Sequence, residues 1–139
     1  MNYKVIYFTR TGNSGRAAEK IANALSLEAI EITDNVNWKG IFGFLKGGYY
    51  ASTNKEVKIN IPKNLDFADE LIVVTPLWAG KVAPAIYAFL KTKSLENVYL
   101  VVTSGDSLLK ERSGYKSVND IVKSKNNEET ILSDLINSL

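Results

Sequence analysis

The sequence predicts an α/β protein, a three-layer, doubly wound parallel sheet forming one domain over residues 1–139. Three observations carry that expectation. The apolar runs Val5-Ile6-Tyr7-Phe8, Leu71-Ile72-Val73-Val74 and Val98-Tyr99-Leu100-Val101-Val102 are short, unbroken and rich in β-branched and aromatic residues, the habit of strands covered on both faces by helices. Between them the apolar period lengthens from two to about 3.6, so strand and helix alternate. No internal repeat, low-complexity tract or linker interrupts the order, and 139 residues suffice for a single core.

The elements follow in chain order. After the first strand, Ala18, Ile21, Ala22 and Leu25 recur at helical spacing and make one apolar face. Glu28-Ala29-Ile30-Glu31-Ile32 alternates instead, which suits a half-buried edge strand. Residues 38–50 combine five aromatics with four glycines, and Trp38, Ile41, Phe42, Leu45 and Tyr49 fall on a helical stripe. The stripe predicts a crossover helix packing its aromatics on the sheet; the other reading is a docking face or lid, partly irregular because glycine weakens a helix interior by about 1 kcal/mol per residue. Ala83, Ile86, Tyr87 and Leu90 mark the next helix. After Val102, the segment from Thr103 to Tyr115 has room for no more than a short helix before a weak strand at Ser117–Val122, so the last crossover is truncated. Ile131, Leu132, Leu135, Ile136 and Leu139 close the chain as a helix, with Asn126 and Glu129 spaced as a capping box.

Composition excludes whole classes of chemistry. With neither histidine nor cysteine, the chain has no imidazole base, thiol nucleophile, disulfide or thiolate metal site. If the chain does hard chemistry, it is expected to borrow it. The 17 basic and 15 acidic residues give a net +2, too small a surplus for binding nucleic acid through its phosphates. No apolar run is long enough to span a membrane, and Met1-Asn2-Tyr3-Lys4 lacks the order of a signal peptide, so a cytoplasmic protein is expected.

In open α/β sheets the ligand lies beyond the carboxyl ends of the strands, where the strand order reverses. Three loops lie there. Thr9-Arg10-Thr11-Gly12-Asn13-Ser14-Gly15 leads from a strand into a helix, and its hydroxyls and backbone N–H groups suit a phosphate; read plainly, it is a helix start capped by Asn13 or Ser14. Thr75-Pro76-Leu77-Trp78-Ala79-Gly80-Lys81 presents a flat aromatic at the same edge, where it could stack on a planar ring. Thr103-Ser104-Gly105-Asp106-Ser107 is either a polar turn or a border for that ring.

Thr9-Arg10-Thr11-Gly12-Asn13-Ser14 resembles the Thr-x-Thr-Gly-Asn-Ser/Thr phosphate loop of the flavodoxin family, and Thr75-Pro76-Leu77-Trp78-Ala79-Gly80 resembles its flavin-stacking loop. The likeness continues through Lys81–Ile86 and Val102–Asp106 and so covers most of the chain. It implies a flavodoxin-like strand order 2-1-3-4-5 and tightly held FMN. By this resemblance Thr9, Arg10, Thr11, Gly12, Asn13 and Ser14 surround the FMN phosphate. Pro76, Leu77, Trp78, Ala79 and Gly80 flank the ring, Trp78 covering one face, and Thr103, Ser104, Gly105 and Asp106 border its edge. The implied function is electron transfer between redox partner proteins, by a monomer or weak dimer. The alternative is a small FMN-dependent reductase of quinones or similar planar acceptors fed by NAD(P)H, and a third reading is a cofactor-free interaction module.

Three departures from the family's pattern sharpen these expectations. Flavodoxins are typically acidic, whereas this chain has a pI near 8.7, and a basic rim from Arg10, Lys39, Lys46, Lys81 or Lys110 would favour the anionic reduced flavin and raise its potential. Ala79 stands where the family often has a glycine, and alanine resists a positive φ by about 1 kcal/mol or more. The segment after Thr103 offers only Tyr115 as a second aromatic.

Overall fold

The apolar runs form the strands expected of them. The computed structural model describes residues 2–61 and 70–139. In chain order the elements are β1 (Tyr3–Tyr7), α1 (Asn13–Ala24), β2 (Ala29–Glu31), β3 (Thr33–Asp34), α2 (Gly40–Ser52), β4 (Ile59–Asn60), β5 (Glu70–Trp78), β6 (Lys81–Val82), α3 (Pro84–Leu90), β7 (Val98–Ser104), β8 (Ser117–Val122) and α4 (Glu128–Ser138). The main sheet runs β2-β1-β5-β7-β8, all parallel, with β6 antiparallel to the end of β5. Numbered among themselves, its five parallel strands stand in the order 2-1-3-4-5. The order reverses between β1 and β5, which places the switch point beside the loop after β1.

Alternation along each strand splits the core in two. Ile6 and Phe8 of the first run, Leu71 and Val73 of β5, and Leu100 and Val102 of β7 face one layer, with Ile86 and Phe89 of α3. Val5, Ile72, Val74, Tyr99 and Val101 face the other, against Ala17, Ile21 and Ala22 of α1 and Leu132 and Leu135 of α4. Both faces of the sheet are therefore dry, as the unbroken apolar runs require.

The last crossover is shorter still than expected, for no helix forms between β7 and β8. Polar bonds replace it. Buried Asp120 accepts from the Leu109 backbone N–H at 3.1 Å and from Arg112 Nη2 at 2.7 Å, while Lys110 N–H reaches Gly80 O at 3.0 Å. Burial of Leu109 completes the anchor.

Helix α2 overturns the expectation for residues 38–50. The helix is regular through its glycines, yet its inward face is Gly43, Gly47 and Ala51, and the predicted core stripe points outward. Only Trp38, which precedes the helix, is buried. Close approach explains the inversion. A Cβ on Gly47 would lie 3.0 Å from the Trp78 ring, and one on Gly43 would lie 2.0 Å from the backbone carbon of Trp38. The Trp78 ring and the Trp38 backbone already fill the space beneath these two positions, so only glycine fits there.

Both predicted helix caps are also corrected. At α1 the cap position is Gly12, at φ 99°, and neither Asn13 nor Ser14 caps the helix by its side chain. At α4 the cap position is Asn127, whose side chain is committed elsewhere: Oδ1 accepts from Val122 N–H at 2.8 Å and Nδ2 donates to Asp120 O at 3.1 Å. Asn126 lies before it in the left-handed region at φ 48°, so the Asn126/Glu129 capping box does not form.

Candidate functional site

The loops after β1, β5 and β7 meet at one edge of the sheet around a cleft of about 430 Å³. Of the residues singled out by sequence, Thr9, Arg10, Thr11, Asn13, Ser14, Pro76, Leu77, Trp78, Thr103, Ser104 and Gly105 line it. Gly12, Ala79, Gly80 and Asp106 do not.

The loop after β1 shapes the polar end. Thr9 Oγ1 accepts from Gly12 N–H at 3.0 Å, folding the loop back on itself, and the left-handed Gly12 then starts α1. Since the first N–H groups of a helix have no intrahelical acceptor and no side chain caps this one, Asn13, Ser14 and Gly15 present backbone donors at the positive end of a helix dipole. No acid stands in the first turn to compete for them. Thr9 and Thr11 add hydroxyls at the rim. Ser14 is different, for its buried Oγ lies 2.8 Å from Thr103 Oγ1, tying the first loop to the third.

Apolar walls come from Pro76, Leu77 and Trp78, from Phe44 of α2, and from Ile121 and Val122 of β8. Thr75 steadies the second loop, accepting from Ala83 N–H at 3.1 Å and donating to Pro76 O at 2.9 Å. Trp78 is held edge-on by Phe8 and Trp38, with ring centroids 5.7 and 5.1 Å away. Trp38 in turn donates its indole N–H to Asp34 at 2.9 Å. The indole is thus fixed by an aromatic cluster while the residue still borders the cleft.

Ala79 and Gly80 form the two-residue turn between β5 and β6, with φ of 51° and 77°. Two successive positive values match a type I′ hairpin turn, which favours Asn-Gly over Ala-Gly. Ala79 therefore adopts the conformation that alanine resists, held there by the Trp78–Lys81 and Leu77–Val82 pairs.

Arg10 acts as a strut. Its Nε donates to Trp38 O at 2.7 Å and its Nη2 to Gly40 O at 2.9 Å, and its guanidinium lies 6.0 Å from the Phe44 ring. Of the five cations expected at the rim, Arg10 alone lines this cleft. Lys81 instead pairs with Glu111 at 3.6 Å beside a separate pocket, and the Lys110 side chain lies over Gly80. The other cations present are Arg16 and Lys123.

Arg16 donates to Asn13 Oδ1 at 3.2 Å and pairs with Glu128 at 3.0 Å, which Lys20 also reaches at 2.8 Å. Partial burial works to raise the Glu128 carboxyl, but the bonds from Lys20 and Arg16 outweigh it and hold it below the ordinary carboxylate value. Sequence reasoning missed Arg16, Phe44, Ile121, Val122, Lys123, Asn126, Asn127 and Glu128 at this site. Arg16 follows one turn after the phosphate-like loop and was within reach of a helical-wheel argument; the residues from β8 and α4 needed the strand order.

No family model and no curated protein matches the sequence. Solved structures do match. A flavoprotein from Lactobacillus acidophilus NCFM, crystallised in complex with FMN, shares 17% identity over 93% of this chain and 97% of its own, with a TM-score of 0.65. Two provisionally named flavoproteins resemble it too: one from Bacteroides eggerthii DSM 20697 at 21% identity over 98% of both chains, with a TM-score of 0.69, and one from Bacteroides uniformis ATCC 8492 at 19% identity over 96% and 97%, with a TM-score of 0.68. Together with the strand order 2-1-3-4-5, these matches show that the chain has the flavodoxin-like fold.

Proposed function

We propose that the cleft binds FMN and that the protein carries electrons between redox partners. One observation carries the reading: an uncapped helix N-terminus with a hydroxyl-bearing loop opens beside an apolar slot at the switch point of the sheet. A phosphate needs the first and a flat ring system needs the second. The FMN-bound protein of the same fold from Lactobacillus acidophilus supports the choice of ligand.

The donor set fits this group. The N–H groups of Asn13, Ser14 and Gly15, with the hydroxyls of Thr9 and Thr11, would hold the phosphate, while Pro76, Leu77 and Trp78 would flank the ring and Thr103–Gly105 its polar edge. When bound, FMN supplies one- and two-electron transfer. The chain's own groups bind, orient and exclude water, and no side chain serves as acid, base or nucleophile. Among the described residues, Arg10, Arg16 and Lys123 stand against the acid Glu128 at the cleft, an excess that favours a reduced, anionic ligand, so the potential should lie above that of strongly acidic flavodoxins.

The test begins with colour. The purified protein should be yellow and release FMN on denaturation. It should not oxidise NAD(P)H steadily by itself, yet be reduced rapidly by a partner reductase. Sustained NAD(P)H turnover by the protein alone would make it a reductase, and a colourless protein indifferent to FMN would reject the reading.

A further inference from the structure

Helix α2 leaves a large apolar face with nothing over it. Ile41, Phe42, Phe44, Leu45 and Tyr49 are each between 60% and 81% exposed, on a helix whose inner side is glycine and alanine. At roughly 100° per residue, Ile41, Phe42, Leu45 and Tyr49 share the outward arc, while Phe44 turns toward the cleft. About two-thirds of these four large side chains amounts to roughly 500 Å² of apolar surface in one patch, toward the upper end of what a lone domain shows to water.

Along the segment that carries the patch, the charges are of one sign. No acid occurs between Asp34 and Glu56, whereas Lys39, Lys46 and Lys55 do, all exposed. That pattern disfavours a second copy of the chain, since pairing two such faces would set lysines against lysines with no acid to match. A protein partner is the weaker fit as well. Protein interfaces favour arginine and disfavour lysine, and the cations carried by the helix and its cap position, Lys39 and Lys46, are lysines, while Arg10 is committed to backbone oxygens at the helix start. Ile41, Phe42, Leu45 and Tyr49 line neither the cleft at the sheet edge nor the pockets beside Lys81 and Asp34. An apolar, aromatic helix face flanked by lysines, lying along a surface, is the pattern of an interfacial membrane helix.

We propose that α2 docks the protein onto an anionic lipid surface, with Ile41, Phe42, Leu45 and Tyr49 inserted among the lipids and Lys39 and Lys46 at the headgroups. No helix among the described residues is long and apolar enough to cross a membrane, so the protein would lie on the bilayer. The proposal stands on the helix alone and holds whether or not a flavin occupies the cleft. Its geometric consequence is that Phe44, shared by the helix and the cleft, sets the cleft mouth beside the bilayer.

Co-sedimentation of the whole protein with vesicles tests it. Vesicles of equal parts phosphatidylglycerol and phosphatidylcholine should bind the protein at low salt and release it at high salt, and vesicles of phosphatidylcholine alone should bind it weakly. Phe42→Ser and Leu45→Ser should each weaken binding about tenfold, and Lys46→Gln about fivefold. With Phe42→Trp, tryptophan emission should shift to the blue on adding the anionic vesicles. Absence of vesicle binding at low salt, or binding unchanged by Phe42→Ser and Leu45→Ser, would overturn the proposal. So would a stable dimer abolished by those two substitutions, which would assign the face to a second copy.

Discussion

Three glycines of α2 give a test in which the structure predicts opposite signs. Replacing glycine by alanine within a helix gains about 1 kcal/mol when the methyl group meets nothing. Gly48 is such a site, with no atom within 4 Å of the added carbon, so Gly48→Ala should stabilise by about 0.5–1 kcal/mol. At Gly47 the same carbon would lie 3.0 and 3.1 Å from Trp78 ring carbons. Trp78 is pinned by Phe8 and Trp38, so overpacking of about 2–3 kcal/mol exceeds the helix gain and leaves a net loss of roughly 1–2 kcal/mol. At Gly43 the carbon would fall 2.0 and 2.1 Å from the Trp38 carbonyl, a backbone overlap that the helix start can escape only by unwinding, at about 3 kcal/mol or more. Urea unfolding of the three variants measures these values, and thermal midpoints should move by roughly 3–4 °C per kcal/mol for a chain of this size. The order Gly48→Ala above wild type, then Gly47→Ala, then Gly43→Ala is expected. A helix that buried its aromatic stripe would leave Gly43 and Gly47 in solvent, and stabilisation by all three substitutions would refute the packing described.

Three further outcomes follow from the site. Ser14→Ala strands the Thr103 hydroxyl and should cost about 1–3 kcal/mol, whereas Ser14→Ala with Thr103→Val should cost clearly less than the sum of the single changes in a double-mutant cycle. Ala79→Asn places a residue suited to a type I′ turn where φ is already 51° and should raise the urea midpoint, equivalent to about 0.5–1 kcal/mol; a fall would mean that the turn is not the one described. Glu128 titrates below its ordinary value of 4.5 in the folded chain, so its contribution is present above that pH and is lost as the pH falls through the folded value. Glu128→Gln should therefore cost under about 1 kcal/mol near neutrality, screened by solvent, and nothing in strong acid; a deficit that persisted there would point to lost packing.

Sequence made the sheet legible because buried parallel strands have a signature that little else imitates: Val5–Phe8, Leu71–Val74 and Val98–Val102 could hardly be anything else. The weak strand at Ser117–Val122 and the truncation of the crossover before it were readable for the opposite reason, since too few residues remained for another arrangement, although the short helix allowed there does not form. Helix α2 was misread because periodicity reports which residues share a face and is silent on which face is inside. That choice depended on Trp38 and Trp78 occupying the space first, a tertiary fact. The caps failed similarly, because Asn127 found better partners in Val122 and Asp120 than in its own helix. At the site, the three loops were visible as hydroxyls, glycines and one indole beside strand ends. The walls from α2, β8 and α4 were hidden until the strand order brought them around the same cleft.

Titration of ligand-free protein with FMN, with riboflavin in parallel, tests the central claim most directly. The cleft described predicts saturable one-to-one binding of FMN with quenching of flavin fluorescence. Riboflavin, which lacks the phosphate, should bind at least about a hundredfold more weakly, because two or more charge-assisted hydrogen bonds at the start of α1 are lost with it. Equal affinity for the two ligands, or no saturable binding of FMN, would contradict the account.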